Sequence, residues 1–231
     1  LSDWKSHVLP HGPLTQLAPR VWQVTGTMKG LPLPRNMTVW KMDGGGLWVH
    51  SAVACDDTTM AELEAIGKPE VLVVPNGSHR IDARVWKERY PDMRVVCPEE
   101  SRAKVEEKVK VDGLDTEVLG VTTHAAGGIK ETEHVYEVDA GAGSALVMCD
   151  LLFNLPHLPG FSGFALRMLG STGFFGLTTV GRMLMLQDKA ALKAWLAQEA
   201  AEPDLALVCV SHGEPVIADA AKKMREAAER L

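Results

Sequence analysis

Strand-length apolar runs punctuated by turn residues fill the first half of the chain. "VWQVTG" (21–26), "MTVWKM" (37–42) and "LWVHS" (47–51) read as strands, and "DGGG" (43–46) joins the last two as a hairpin. "DDTTMAELEAIG" (56–67) then changes period. It has an acidic start, apolar residues at Met60, Leu63 and Ile66, and a closing glycine, which together predict a capped amphipathic helix. Further on, "VLVV" (71–74), "VVC" (95–97), "TEVL" (116–119), "EHVYEV" (133–138), "ALVMC" (145–149) and "LALVCVS" (205–211) read as strands. Helices are predicted over 80–90, 98–110, 188–200 and 215–230. A strand-rich start that gives way to alternating strands and helices implies layered sheets covered by helices. The length suits one large domain or two small ones, and a single domain over 1–231 is expected.

Composition narrows the partners. A net charge of −6 and the lack of any basic run argue against sequence-independent nucleic-acid binding, which needs a cationic face. The four cysteines, Cys55, Cys97, Cys149 and Cys209, sit at or near the ends of apolar runs with no CxxC pair, as buried reduced thiols would. This usage fits the cytoplasm or another reducing compartment. The opening "LSDWKSHVLPHG" holds no apolar signal segment, although a chain that starts on Leu is compatible with removal of a targeting segment.

Three apolar strands run into side chains able to bind a metal. "VLVV" leads to the turn "PNGSH" and His79, "ALVMC" leads directly to Asp150, and "LALVCVS" leads directly to His212. Loops at strand ends carry polar groups above a dry sheet, which is where ligands gather. Two imidazoles and a carboxylate suit a divalent metal, zinc first and iron second, and leave a coordination position open. Each residue also has an ordinary reading: a hydrogen-bonded histidine, or an aspartate forming a turn or capping a helix. Spacing alone does not bring the three together.

In order and spacing, "GLWVHSAV" (46–53), "VVPNGSHRIDARVWKERYPD" (73–92), "CDLLFNLP" (149–156) and "SHGEPV" (211–216) resemble the metallo-β-lactamase superfamily, and in particular an uncharacterised branch of it. The resemblance spans about 20–230 and implies an α/β fold, the αββα sandwich of the metallo-β-lactamase type. The superfamily's His-x-His-x-Asp-His motif then falls on Val74, Asn76, Ser78 and His79, so only its last histidine is present. The next expected histidine falls on the loop Gly128, Ile129 and Lys130, with His124 and His134 nearby as candidates for a shifted ligand. The bridging aspartate falls on Asp150 and the final histidine on His212. The resemblance thus implies a first metal site that is stripped and a second that retains His79, Asp150 and His212.

Two functions follow. One is a mononuclear metal-dependent hydrolase acting on a small, partly apolar substrate, with Asp150 and Glu214 as catalytic residues and Asn76, Ser78 and His157 facing substrate. Neither Asn76 nor Ser78 is a general base at neutral pH. The alternative is a metal-free relic of the fold that binds a ligand or a partner. The segment 151–186 bears on both. It is rich in Phe, Leu, Met and Gly and carries only Arg167 and Arg182 as charges, while Pro156, Pro159 and its glycines break any spanning helix. It is expected to be buried core, an apolar lid over the metal edge, or a docking surface for a membrane or a second copy of the chain. His50 and the tryptophans Trp40, Trp48 and Trp86 are expected to be structural.

Overall fold

The hairpin at 43–46 closes through Met42 and Gly46: the Met42 N–H donates to the Gly46 carbonyl at 2.9 Å, with Gly45 at φ +85°, a conformation open to glycine. A computed structural model describes residues 3–130 and 133–231; Leu1, Ser2, Glu131 and Thr132 lie outside the described residues. The chain divides into two compact units, the first ending at Thr122 and the second beginning at Thr123.

In the first unit, α1 (Trp4–His7) is followed by β1 (Thr15–Ala18), β2 (Val21–Met28), β3 (Leu31–Lys41) and β4 (Leu47–His50). Then come α2 (Asp57–Ile66), β5 (Pro69–Val73), α3 (Ala83–Arg89), β6 (Arg94–Cys97), α4 (Glu99–Glu106) and β7 (Gly113–Leu114). The seven strands form one sheet in chain order. It is antiparallel from β1 to β4, where tight turns connect neighbours, and parallel from β4 to β7, where helices cross over. Helix α2 starts as expected, with the Asp56 side chain accepting the Thr59 N–H at 2.8 Å, and it ends at Gly67. The segment 116–119 does not extend as a strand: Asp115–Glu117 make a 3₁₀ turn, in which the Glu117 carboxylate takes the Leu114 N–H at 3.2 Å and the Asp115 carbonyl takes the Val118 N–H at 3.4 Å. Trp40, Trp48 and Trp86 are buried. So is His50, stacked on Trp48 with centroids 5.6 Å apart. The polar N-terminal arm is pinned inward: buried Asp82 pairs with buried Arg35, accepts the Ala54 N–H at 2.9 Å and meets His7 Nδ1 at 2.8 Å.

The second sheet holds β8 (Thr122–His124), β9 (Val135–Asp139), β10 (Ser144–Met148) and β11 (Leu205–Val210), in the order β11-β10-β9-β8. Strands β10 and β11 run parallel, so their C-terminal ends deliver Asp150 and His212 to the same edge. The unit's helices are α5 (Gly160–Met168), α6 (Thr179–Met185), α7 (Lys189–Glu199) and α8 (Ala220–Arg230). Helix α8 buries Ala220, Met224, Ala227 and Ala228, one helical face, within the core around Leu146, Met148 and Val208. The apolar segment 151–186 is neither wholly core nor wholly exposed. Leu151, Leu152, Leu155, Phe175 and Leu177 are buried, whereas Phe161, Phe164 and Met168 face solvent. Among the described residues no helix is long and apolar enough to cross a membrane. All four cysteines are buried thiols outside any disulfide.

Candidate metal centre

The turn after β5 is built by Asn76. The strand ladder closes with the Val74 N–H on the Val96 carbonyl at 2.9 Å, and Pro75 has no N–H to continue it. The Asn76 carboxamide oxygen then accepts the N–H groups of Ser78 at 2.8 Å and His79 at 3.2 Å, an Asx turn that sets His79 at its exit. Ser78 is exposed. Val74 is buried in the apolar core and offers no donor atom. His79 Nδ1 lies 2.7 Å from the hydroxyl of Ser51. Ser51 follows β4 at φ 56°, a left-handed conformation uncommon for a non-glycine residue, and it is buried.

In the second unit, Asp150 Oδ1 and His212 Nε2 are 3.1 Å apart. His212 is buried, and the Phe153 ring packs 4.7 Å from the imidazole. Backbone hydrogen bonds lace the two strand ends together: the Asn154 N–H donates to the His212 carbonyl at 3.0 Å, and the Glu214 N–H donates to the Asn154 carbonyl at 3.0 Å. Gly213 allows this approach, since its φ is +106° and a Cβ there would lie 2.2 Å from the Asn154 oxygen. Fixing the backbone on both sides fixes the pair.

Asp150 is held from beneath by a residue that the sequence pattern did not single out. The buried Glu133 carboxylate accepts three successive backbone N–H groups, from Cys149 at 2.8 Å, Asp150 at 2.8 Å and Leu151 at 3.0 Å. These amides lie just past the end of β10, where the ladder no longer satisfies them. Burial, and then the nearby Asp150 charge, push the Glu133 carboxyl up to about 8 against the pull of the three donors. Ligand-capable atoms of Glu133, Cys149 and Asp150 lie within 4.8 Å of one another. The three amides already claim both Glu133 oxygens, which makes Glu133 a support for Asp150. In the sequence Glu133 is only the first residue of the predicted strand "EHVYEV".

Glu214 is exposed, and its carbonyl accepts the Asn154 side-chain N–H at 2.8 Å. His157 is exposed, with Nδ1 2.9 Å from the Thr172 hydroxyl. The loop at 128–130 docks on the start of α7: the Gly128 carbonyl accepts the N–H groups of Gln187 and Asp188, and a Cβ on Gly128 would meet the Asp188 carbonyl at 2.1 Å. A histidine at that position would therefore be excluded sterically. Both ring nitrogens of His124 face carboxylates, Glu137 at 3.1 Å and buried Glu199 at 3.7 Å.

Comparison with known proteins gives the fold. The sequence matches no protein-family model and no curated protein. Among solved structures, it is similar to a metallo-β-lactamase from Erythrobacter litoralis with β-mercaptoethanol in the active site (15% identity, TM-score 0.61, 94% of this chain and 96% of that one). It is also similar to the DIM-1 metallo-β-lactamase (14%, 0.61, 96% and 99%). A third is FIM-1 from Pseudomonas aeruginosa in its mono-zinc form (15%, 0.60, 97% and 97%). The chain has the metallo-β-lactamase fold, a mixed α/β architecture with two sheets and helices.

Proposed function

We propose that this protein is a mononuclear metal-dependent hydrolase whose metal is held by His79, Asp150 and His212, with zinc favoured over iron. The observation that carries the reading is the Asp150–His212 pair, 3.1 Å apart at the ends of two parallel strands. Two donors bound at ~2.0–2.1 Å with a tetrahedral angle between them lie about 3.3 Å apart, so the pair already has the spacing of neighbouring ligands. Imidazole nitrogen and carboxylate oxygen are the donor types zinc and ferrous iron accept. His79 is taken as the third ligand from the sequence resemblance, in which it matches the last histidine of the metal motif, and the Ser51 hydroxyl near Nδ1 suits the outer partner of a ligand histidine. A mono-zinc form of FIM-1 supports one metal as a workable state of this fold.

When bound, such a metal makes a water more acidic and polarises a carbonyl or phosphoryl oxygen. The chain's own residues supply positioning. Glu133 fixes the backbone of Asp150, and the Asn154–Gly213 lacing fixes His212. Glu214, exposed beside His212, is the candidate proton carrier, and Ser78 and His157 are candidate contacts for a small, partly apolar substrate. The aspartate that would orient a water is replaced by Ser78, which is no base at neutral pH, so turnover of standard β-lactams and thioesters is expected to be slow. Elemental analysis tests the reading: one zinc or iron per chain in the purified protein, lost in His212→Ala together with any hydrolysis, is expected. Metal-free protein that takes up none on dialysis against zinc would leave the Asp150–His212 contact as an ordinary ion pair and favour the relic reading.

A further inference from the structure

Helices α5 and α6 are amphipathic in the inverted sense. On α5, Phe161, Phe164 and Met168 recur at i, i+3 and i+7 and point to solvent; Phe161 is 86% exposed and Met168 71%. The side of α5 turned inward carries Gly163, buried, with Ala165 and Leu166 half-buried. On α6, Val180, Met183 and Leu184 are exposed, Met183 to 82%, while Gly181 and Met185 are half-buried. A surface helix of a globular protein ordinarily turns its apolar stripe toward the core. The two helices form one surface, because the Thr179 N–H at the start of α6 donates to the Gly170 carbonyl just past the end of α5, at 3.4 Å. Seven of the eleven large exposed apolar residues described in the chain fall between 161 and 184, which marks a binding face rather than scattered surface.

Charge identifies the occupant. The chain has thirty acidic residues, yet none lies between Asp150 and Asp188, a stretch whose only full charges are Arg167 and Arg182. Arg167 is exposed beside Met168. Arg182 donates to the carbonyl of Arg230 at 2.5 Å, and the Arg230 guanidinium sits 5.2 Å from the Phe174 ring. An apolar segment that carries no acidic residue and exposes Arg167 beside its apolar side chains, on an otherwise acidic protein, complements an anionic lipid surface, whereas a second copy would bring like charges together. We propose that α5 and α6 adsorb to anionic membrane, lying in the interface with Phe161, Phe164 and Met183 among the headgroups. The helices are too short to cross a bilayer, and the adsorption does not depend on the metal centre.

The test is co-sedimentation of the full chain with vesicles of phosphatidylglycerol and phosphatidylcholine, and with vesicles of phosphatidylcholine alone. Binding to the anionic vesicles is expected, weaker by roughly tenfold or more on phosphatidylcholine alone and released by salt. The triple variant Phe161→Ser, Phe164→Ser, Met183→Ser should lose roughly tenfold or more in partitioning while keeping the wild-type circular dichroism, since all three side chains face solvent. Arg167→Glu keeps the apolar face and should weaken binding to the anionic vesicles only. No sedimentation with either vesicle, or equal binding to both, overturns the proposal. So does sedimentation equilibrium showing a concentration-dependent dimer that the triple variant abolishes, which would assign the face to a second copy of the chain.

Discussion

The substitution Glu133→Gln keeps the shape of the side chain and changes one thing, the acceptor facing the Asp150 amide. In the wild type one carboxylate oxygen takes the Cys149 and Leu151 N–H groups and the other takes that of Asp150. The carboxamide oxygen of the variant can keep the first two. Its NH₂ group then meets the Asp150 N–H, donor against donor. Because the Glu133 carboxyl is pushed up to about 8, the comparison belongs above that pH, where the acceptor is a carboxylate; the loss is then one hydrogen bond to a charged acceptor plus one buried donor left unmet, about 1–3 kcal/mol each, offset in part because a neutral amide is cheaper to bury than a carboxylate. A destabilisation of about 1–3 kcal/mol is expected for Glu133→Gln, and about 3–5 kcal/mol for Glu133→Ala, which strands all three amides. Urea denaturation measures the difference, and native-state hydrogen exchange locates it: the amides of 149–151 should lose protection while those of β9 keep theirs. The reasoning is refuted if both variants match the wild type within about 0.5 kcal/mol, or if exchange rises evenly across the unit.

Asp82→Asn breaks a buried pair and leaves Arg35 uncompensated, so it should destabilise by about 3–5 kcal/mol in a urea titration, far more than loss of the surface pair Lys68–Asp92. Burial pushes the Cys55 and Cys97 thiols up to about 12, so neither should react with iodoacetamide at neutral pH in the native protein, whereas unfolding should expose all four cysteines to labelling by mass spectrometry. Burial also raises the Glu199 carboxyl against the opposing pull of His124. Between its unfolded and its raised folded pKa the native state binds more proton than the unfolded chain, so this group's contribution falls as pH rises through that window; Glu199→Gln should flatten the fall in denaturation curves collected across it.

Much of the fold was legible because strand ends and turns are written locally. Val74-Pro75 stops a ladder, Asp56 and Gly67 bracket a helix, and the apolar runs ending at Asp150 and His212 proved to be parallel neighbours. What was missed depends on contacts distant in sequence or on direction. Glu133 finds its partners sixteen to eighteen residues away, on backbone groups that no side-chain pattern reveals. His7 and Asp82 are 75 residues apart, so nothing local in "LSDWKSHVLPHG" reveals that the arm is anchored. Composition marked 151–186 as apolar, but it gave neither helix α5 nor whether the helix's apolar side chains face core or solvent. At 116–119 the β-prone run yielded to a 3₁₀ turn capped by the Glu117 carboxylate on the Leu114 N–H.

Titration of metal-stripped protein with cobalt(II), followed by visible absorption, tests the metal centre most directly, because ligand-field bands report the donors and the end point reports the number of sites. The account predicts saturation at one equivalent per chain, with the bands lost in His79→Ala, Asp150→Ala and His212→Ala alike. A spectrum unchanged by His79→Ala, or an end point at two equivalents, would contradict a single metal shared by these three residues.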